Sequence, residues 1–310
     1  MSNFVFGFSK WKKYWLEDYV DQPVYLDRFN SYISFFMDLV NPYEKTTLYV
    51  WSYKDKKIFS SNLLFNVIRV EDGFIRSKGL GSDKIKPLSL IFEKSDYLYF
   101  DSNGKSDIDT LISDVALTRS EKENSKDLLS SLKKNPISKY NLDCASIEVD
   151  GAAVLVIGQV EDDQAIIYGG GFQTNLELVE LACKENPEKK VYYKRHPDVT
   201  SGNRIAEKRF DEILRLSTVI EQSLDIRDVS NKFDVSYVNT SLMGLEILIH
   251  GGSVRTVGKP FYWGLGLTDD YLPRCHVPIA IEELVYKVYV IFPDYHPENI
   301  IYKIKGTAWA

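Results

Sequence analysis

The stretch Val154–Phe172, VLVIGQVEDDQAIIYGGGF, places an apolar run directly before three acidic residues and a group of three glycines. The run Val154–Ile157 is short and β-branched, which is typical of a strand covered on both faces of a parallel sheet. Glu161, Asp162 and Asp163 follow it, and open α/β sheets bind ligands beyond the carboxyl ends of their strands. The stretch therefore predicts an α/β fold with carboxylates at the mouth of a ligand cleft.

The second half of this stretch predicts a turn into a helix. Gly169–Gly171 would allow the backbone to come close to a bound group, and Thr174 or Asn175 would cap a helix over Leu176–Ala182. Two other interpretations of the acids stay open. They are an acidic surface loop before a helix, or a Mg²⁺ site, because carboxylates are usual Mg²⁺ ligands.

The composition bounds the class of protein. The chain has 310 residues, enough for two domains, and 44% of them are hydrophobic and 26% charged, as in soluble enzymes. With 38 basic and 44 acidic residues the net charge is −6, which argues against a nucleic-acid partner. Cys144, Cys183 and Cys275 are odd in number and lack metal-ligand spacing, which predicts free thiols in a reducing compartment. No run reaches the ~18 apolar residues of a membrane span, and no signal peptide is recognisable, so a cytoplasmic protein is expected.

Strands and helices alternate along the first half, as parallel sheets with helical crossovers require. The predicted strands are Asn3–Phe8, Thr47–Trp51 and Val67–Val70, with a β-hairpin region formed by Pro87–Ile91 and Tyr97–Phe100. The predicted helices are Lys10–Leu16, Phe29–Leu39, Ser60–Leu64 and a charged stretch over Asp107–Leu132 that Asn135-Pro136 ends.

The second half repeats the alternation. Its predicted strands after Val154–Ile157 are Lys189–Tyr193, Thr218–Ile220 and one from Val235, and its helices are Leu176–Glu185, Ile205–Leu216, Leu224–Val229, Leu242–Ile249 and a return to helix after Ile279. We expect a first domain over residues 1–148, a second over 149–290 and a segment, 291–310, that packs back across both.

A second acidic loop follows the strand that ends at Val70. Glu71 and Asp72 stand at its end, where a carboxylic acid could act as general acid or base if burial raises its pKa. The alternative is an ordinary Asp72-Gly73 turn with Glu71 as a surface charge. Arg76, close behind, could hold a substrate carboxylate in a bidentate grip.

Two further strand ends predict an anion site. Lys194 and His196 follow one strand, and Pro197 fixes their loop. Thr240 and Ser241 precede a helix whose N-terminal N–H groups and hydroxyls would favour an anion, although plain N-capping by Ser241 explains the same residues. Glu246 lies one turn further on, where it could accept hydrogen bonds from ribose hydroxyls.

Taken together, the motifs resemble a known family. They are Glu71–Ser77 (EDGFIRS), Pro87–Leu90 (PLSL), Ser138–Leu142 (SKYNL), Gly158–Asp163 (GQVEDD), Lys194–Val199 (KRHPDV), Thr240–Glu246 (TSLMGLE) and Pro260–Thr268 (PFYWGLGLT). In order and spacing the chain resembles the retaining β-Kdo transferases of bacterial capsule assembly, the KpsC type, and similar Kdo transferase modules of lipopolysaccharide synthesis. Kdo is 3-deoxy-D-manno-oct-2-ulosonic acid.

The resemblance implies a GT-B-like enzyme with two Rossmann-like domains facing a central cleft, the first on the acceptor side and the second binding the CMP-sugar. It implies transfer of Kdo from CMP-β-Kdo with retention, which two successive inversions achieve. By motif position Asp163 maps to the nucleophile that forms a Kdo-Asp intermediate, and Glu71 maps to the acid/base. The donor-binding residues are Lys194, His196, Thr240, Ser241, Glu246, Arg76 and Gln159, supported by Asp72, Asp162, Gly170 and Gly171.

The resemblance also sets expectations about partners. No cofactor or catalytic metal is expected, because the cationic and backbone groups would stabilise the leaving phosphate. The acceptor would be a lipid-linked saccharide or oligosaccharide, reached at the inner face of the cytoplasmic membrane through peripheral association with polysaccharide assembly machinery. Capsule enzymes of this type carry two such modules, and 310 residues hold one. The alternatives are an inverting transferase of the CMP-sialic-acid type and a non-catalytic module of an assembly complex.

Overall fold

The computed structural model describes residues 2–39, 46–273 and 277–296, which form two six-stranded sheets with helices packed on them. The predicted α/β class is confirmed. Cys144 and Cys183 are free thiols, whereas Cys275 lies outside the described residues, as do residues 297–310 of the predicted C-terminal segment. Within the described ranges no helix is both long and apolar enough to cross a bilayer.

The elements of the first half alternate as the sequence predicts. Its strands are β1 (Asn3–Phe6), β2 (Pro23–Tyr25), β3 (Thr46–Trp51), β4 (Phe65–Asp72) and β5 (Ser89–Glu93). Its helices are α1 (Lys10–Leu16), α2 (Phe29–Leu39), α3 (Asp107–Asp114) and α4 (Arg119–Lys134), with a 3-10 turn at Gly81–Asp83.

The second half continues the pattern. Its strands are β6 (Ala153–Ile157), β7 (Lys190–Lys194), β8 (Thr218–Ile220), β9 (Val235–Val238), β10 (Val254–Thr256), β11 (Asp269–Asp270) and β12 (Asp294–Tyr295). Its helices are α5 (Gln164–Tyr168), α6 (Asn175–Glu185), α7 (Pro197–Thr200), α8 (Phe210–Leu216), α9 (Ile226–Lys232), α10 (Leu242–Ile249) and α11 (Ile281–Tyr286), which a π-helical turn, Lys287–Ile291, extends.

The first sheet has the strand order β12-β5-β4-β3-β1-β2. Strands β1 to β4 run parallel, and β5 is antiparallel to both of its neighbours, β4 and β12. Because β12 comes from the end of the chain, its pairing with β5 ties the last described residues to the first sheet. The domain boundaries at 148 and 290 stay predictions.

The second sheet is entirely parallel, with the order β11-β10-β9-β6-β7-β8. All five residues of β6 are buried, as the apolar run predicts. From β6 the chain first builds outwards to β8 and then returns to place β9 on the other side. The strand order therefore reverses between β6 and β9, and this switch point is where such sheets open a crevice for ligands.

Helix α6 shows how local sequence sets the boundaries of these elements. Thr174 is its N-cap, and the Thr174 hydroxyl accepts a hydrogen bond from the backbone N–H of Glu177 while the Glu177 carboxylate accepts one from the N–H of Thr174. This capping box satisfies N–H groups that the first turn leaves without partners. The predicted cap is confirmed.

Two predictions in the first half are wrong, because side chains take the backbone donors. Ser60–Leu64 is not a helix: the Asn62 side chain accepts the N–H groups of Leu64 and Phe65, which favours a turn. Tyr97–Phe100 is not a strand. There the Tyr53 hydroxyl accepts the N–H of Leu98 at 2.9 Å, and the buried Glu93 carboxylate accepts that of Tyr99 at 2.8 Å.

The predicted helix Ile205–Leu216 begins five residues late, at Phe210. Before it, the buried Glu207 carboxylate pairs with Arg195, and the N–H of Lys208 donates to Glu161. Arg209 then has a φ of +55°, a left-handed conformation that a continuous helix cannot contain. Tertiary contacts with the loops after β6 and β7 thus displace the start of α8.

The three glycines allow close packing of the chain on itself. A Cβ atom on Gly171 would lie 1.8 Å from Asn239 Oδ1 and 2.7 Å from the Cα of Gly258. Gly170 has a φ of +70°, which glycine adopts without strain. Their role in the structure is to seat the loop after α5 against the residues that follow β9 and β10.

Replacing Gly171 by alanine should therefore destabilise the protein by about 2 kcal/mol or more, because backbone must move to admit the methyl group. Gly151→Ala is the matched control: Gly151 has a φ of +73° but nothing lies within 4 Å of its added Cβ, so we expect only about 1 kcal/mol. Urea unfolding of both variants measures the difference, and equal losses would contradict the packing argument.

Candidate active site

A cleft with a volume of about 880 Å³ lies where the carboxyl edges of the two sheets meet. Its walls include residues from the ends of β3 and β4 on one side and of β6, β7 and β9 on the other. This volume lies in the range of small-molecule sites, which occur at domain interfaces and sheet switch points. The acidic and basic strand ends predicted from the sequence thus meet in one cavity.

Gln159 and Thr240 close the crevice at the switch point. The backbone N–H of Thr240 donates to Gln159 Oε1 at 2.8 Å, and Gln159 Nε2 donates to the Thr240 hydroxyl at 3.1 Å. Both residues line the cleft. Because the Gln159 amide is occupied by Thr240, its first effect is to fix the loop that leads into α10.

The N-terminus of α10 also opens on the cleft. Ser241 is its N-cap and accepts the backbone N–H of Met243 at 3.3 Å, while the Tyr262 hydroxyl donates to the carbonyl of Ser241. Ser241, Leu242 and Met243 line the cavity. The predicted capping role of Ser241 is confirmed, and it directs the positive end of the helix dipole towards the site.

The end of β7 contributes one cation and one neutral donor. Lys194 is buried, its Nζ donates to the carbonyl of Arg195 at 2.6 Å, and burial lowers its pKa to about 8. Burial lowers the pKa of His196 to about 4, and its Nδ1 accepts the N–H of Asp198 at 3.1 Å. The neutral ring therefore carries its proton on Nε2, from which it can donate a hydrogen bond.

Asp163 lies on the same side of the cleft. It is the N-cap of α5, and its Oδ1 accepts the N–H of Ala165 at 2.9 Å. Arg204 Nη2 lies 3.7 Å from Asp163 Oδ2. The cap fixes the orientation of the carboxylate, and about half of the side chain stays exposed to the cavity it lines.

Glu71 and Asp72 are the last residues of β4 and line the opposite wall. Burial raises the pKa of Glu71 to about 7, and the charge of Lys12 opposes this rise. At Asp72 burial is outweighed by the charges of Lys12 and Arg76, which lower the pKa below its ordinary value. Adjacent carboxylates whose pKa values are pushed apart are typical of acid/base sites.

Four predicted site residues lie away from the cleft wall. Arg76 is buried and does not line the cleft: its Nε lies 3.0 Å from Asp72 Oδ2, and its Nη1 donates to the Ser77 hydroxyl at 2.8 Å. Asp162 is an exposed residue, and Gly170 and Gly171 belong to the loop after α5 and do not line the cleft. The structure therefore brings Arg76 to Asp72 and not to a ligand surface.

Glu246 reaches the cleft from α10. It is buried, and its Oε1 accepts the backbone N–H of Lys139 at 3.0 Å. Burial raises the pKa of Glu246 to about 7. One oxygen of Glu246 thus holds the segment that connects the two halves, and the predicted contact of Glu246 with a ribose stays a prediction.

The three acids after β6 diverge. Glu161 accepts the backbone N–H groups of Asn175 and Lys208, Asp162 is exposed, and Asp163 caps α5. Among the residues described, no group of three or more His, Cys, Asp or Glu side chains is arranged to hold a metal ion. The acidic run therefore does not gather its carboxylates around one point.

Sequence reasoning missed four lysines that line the cleft: Lys54 and Lys78, which are exposed, and Lys12 and Lys139, which are not. The Nζ of Lys12 lies 2.8 Å from the centre of the Trp51 ring, and burial lowers its pKa to about 8. Lys139 belongs to the motif Ser138–Leu142, which supported the resemblance without being given a role. Because Lys139 lies in a loop, it has no helical or strand periodicity, and only the motif could have identified it.

Known proteins of similar sequence include biosynthesis and processing proteins of capsule polysaccharide and lipopolysaccharide. Residues 132–277 match the family described as capsule polysaccharide biosynthesis protein. The chain is 37% identical over 238 residues to the lipopolysaccharide-processing protein LpsZ of Rhizobium meliloti, a match that covers 73% of this chain and 54% of LpsZ. The chain thus spans about half the length of that relative.

Solved structures also resemble this chain over nearly its full length, and they include two Kdo transferases. The β-Kdo 2,7 transferase of Thermosulfurimonas dismutans KpsC matches with a TM-score of 0.75 and 26% identity, over 95% of this chain and 92% of that one. The β-Kdo 2,4 transferase of the same KpsC matches with a TM-score of 0.76 and 26% identity, over 94% and 92%. The predicted GT-B-like fold is confirmed. So is the resemblance stated from the motifs: the chain is related in sequence to capsule polysaccharide biosynthesis proteins and in structure to the KpsC Kdo transferases.

Proposed function

We propose that this chain is a retaining β-Kdo transferase, which moves Kdo from CMP-β-Kdo to a hydroxyl group of a glycan or glycolipid. The names of its relatives support glycosyl transfer of Kdo in general. One observation carries the finer proposal: Glu71 and Asp163, which come from different sheets, line the same cleft. A retaining transferase that works by double displacement needs a nucleophile and an acid/base on such facing walls.

In the first step an oxygen of Asp163 attacks the anomeric carbon of Kdo. The bond from that carbon to the phosphate oxygen breaks, and CMP leaves with the electron pair. Lys194, His196 and the N-terminus of α10 line this cleft, and they would stabilise the developing phosphate charge, His196 through its Nε2–H group. This assignment uses no metal ion.

In the second step the Glu71 carboxylate takes the proton of the acceptor hydroxyl. The acceptor oxygen attacks the anomeric carbon, the ester bond breaks, and Asp163 is restored as a carboxylate. Two inversions at one carbon give net retention. The first sheet then forms the acceptor side and the second the donor side, and Glu246 would accept a hydrogen bond from the cytidine ribose.

The setting follows from the same proposal. The acceptor would be a lipid-linked saccharide or an oligosaccharide, and the enzyme would work in the cytoplasm at the inner face of the membrane, beside polysaccharide assembly machinery. The chain spans about half of LpsZ, so the relatives do not fix which linkage the enzyme would form or how many Kdo units it would add. Product NMR with CMP-β-Kdo and a panel of Kdo- and galactose-terminated acceptors would identify both.

Glu71→Gln should accumulate the covalent intermediate, because the first step needs no base whereas the second does. Intact-protein mass after incubation with CMP-β-Kdo should increase by one Kdo residue, and peptide mapping should place it on Asp163. The control is Glu71→Gln combined with Asp163→Asn, which should stay unmodified. Turnover with inverted product and no adduct would instead favour the CMP-sialic-acid type of mechanism.

Asp163→Ala should lower transfer by about a thousandfold or more, as removal of a nucleophile does, while CMP still binds. Asp162→Ala is the matched control, since Asp162 is exposed and lies outside the cleft lining, and it should keep most of the activity. Initial rates and CMP calorimetry measure the two effects. Near-normal turnover in Asp163→Ala would exclude it as nucleophile, and a wild-type protein inert with every acceptor would favour a non-catalytic module.

The second step should depend on pH through Glu71. Burial raises the pKa of Glu71 to about 7, so the proton-accepting form is lost as the pH falls below that value. We expect the acceptor-dependent decay of preformed adduct to slow about tenfold per pH unit below about pH 7 and to level off above it. Stopped assays across this range measure the decay. In Glu71→Gln the residual decay should lack this inflection, and an unchanged inflection would assign it to another group.

A further inference from the structure

The segment around Lys139 is fixed to both halves of the protein by its backbone. The N–H groups of Arg76 and Ser77 donate to the carbonyl of Lys139 at 3.0 and 3.3 Å, and the N–H of Lys139 donates to Glu246 Oε1 at 3.0 Å. None of these bonds involves the side chain. Lys139 lines the cleft, and the bonds that hold its backbone there do not depend on the charge of its side chain.

The ammonium group of Lys139 has no hydrogen bond or ion pair within the described part of the chain, and its Nζ lies 5.6 Å from the centre of the Tyr140 ring. Burial alone would lower the pKa of Lys139, but its neighbours Tyr140, Tyr99, Asp72 and Asp163 raise it above its ordinary value. Lys139 therefore stays protonated at neutral pH. A partly buried charge without a counter-ion is unfavourable unless a ligand supplies one.

The other cations of the cleft are already engaged or lie in solvent. Arg195 pairs with Glu207 and Glu221, Arg204 with Asp163, and Arg227 with Asp225, while Lys194 donates to a carbonyl and Lys12 lies over Trp51. Lys54 and Lys78 are exposed. Lys194 is assigned above to the leaving phosphate, and the charge of Lys12 acts on Glu71 and Asp72. Among the shielded cations of the described cleft, Lys139 is therefore the one that has neither a partner nor an assigned role.

Lys139 lines the cleft together with titratable residues of both walls, and its charge acts on them. It acts on Glu71 and Asp72 from the first sheet, and on His196 and Glu246 from the second. The reacting carbon of the proposed donor must lie between the same walls, and Kdo carries its carboxylate directly on that carbon. Without a cation there, this carboxylate would be repelled by Asp163 as the two approach each other.

We infer that Lys139 binds the carboxylate on the anomeric carbon of the donor sugar, and so selects acidic ulosonic sugars over neutral ones. This inference rests on the proposed function and extends it to a residue with no assigned role. The ion pair would offset the negative charges of Asp72 and Asp163. A neutral sugar would leave the charge of Lys139 without a partner. A site built to bind a polar group discriminates strongly against an analogue that lacks that group.

The test compares CMP-β-Kdo with an analogue whose sugar carboxylate is replaced by a neutral carboxamide. Wild-type protein should form the covalent adduct from CMP-β-Kdo about tenfold or more faster, since a charge-assisted bond is lost in the analogue. Lys139→Met should lose this preference, while its affinity for CMP stays within about twofold of wild type. Lys139→Arg keeps the charge and should keep the preference.

Lys78→Met is the matched control, because Lys78 lines the same cleft but is exposed, and its donor preference should equal that of wild type. Thermal unfolding of Lys139→Met should stay near that of wild type, since its backbone bonds remain. Should Lys139→Met not fold, Lys139→Gln gives the same comparison. The inference alone is overturned if folded Lys139→Met or Lys139→Gln keeps the wild-type preference for CMP-β-Kdo, or if the variant loses affinity for CMP as much as it loses this preference. If the wild-type protein is inert with CMP-β-Kdo, the proposed function is overturned as well.

Discussion

Parallel strands place all of their carboxyl ends at one edge of a sheet, and the rest of this structure depends on that constraint. Each sheet therefore collects chemically active residues that are far apart in the chain: the loops after β6, β7 and β9 bring Asp163, His196 and Thr240 to one edge. The end of β4 brings Glu71 to the edge of the other sheet. A cleft between two such edges acquires groups from both without any special local sequence.

A shared cleft also requires that the two sheets keep a fixed relation, and several contacts between the halves provide it, among them a hydrophobic core to which both contribute. The backbone of Lys139 bonds to Arg76 in the first half and to Glu246 in the second. The N–H of Ser102 donates to the carbonyl of Tyr168 at 3.0 Å, next to the edge-to-face contact of Tyr53 with Tyr168. Since Tyr168 ends α5 and Asp163 caps it, the first sheet helps to orient a carboxylate that belongs to the second.

Sequence could predict the features that depend on local pattern. Buried strands such as β6, the helix bounds of α2 and α10, and the cap at Thr174 follow from apolar runs and capping residues, and these predictions are confirmed. The wrong predictions come from tertiary contacts. The Glu93 carboxylate accepts a backbone N–H that a strand over Tyr97–Phe100 would need, and the ion pair of Glu207 with Arg195 fixes the chain before α8 in a non-helical conformation. At the site, the sequence pattern gives the residue type of Arg76 but not its contact with Asp72, which depends on how the chain folds.

Residues of the cleft that look alike in sequence differ in their protonation, because burial and neighbouring charges shift their pKa values in opposite directions. Glu71 and Asp72 are adjacent carboxylates, yet burial raises the pKa of one to about 7 while neighbouring cations lower that of the other. His196 follows two cations but is itself neutral at pH 7, because burial lowers its pKa to about 4. A neutral histidine donates a hydrogen bond without adding to the positive charge of Lys139 and Lys194. Positive charge is thus confined to a few fixed points, which is what discrimination between one anionic donor and its neutral analogues requires.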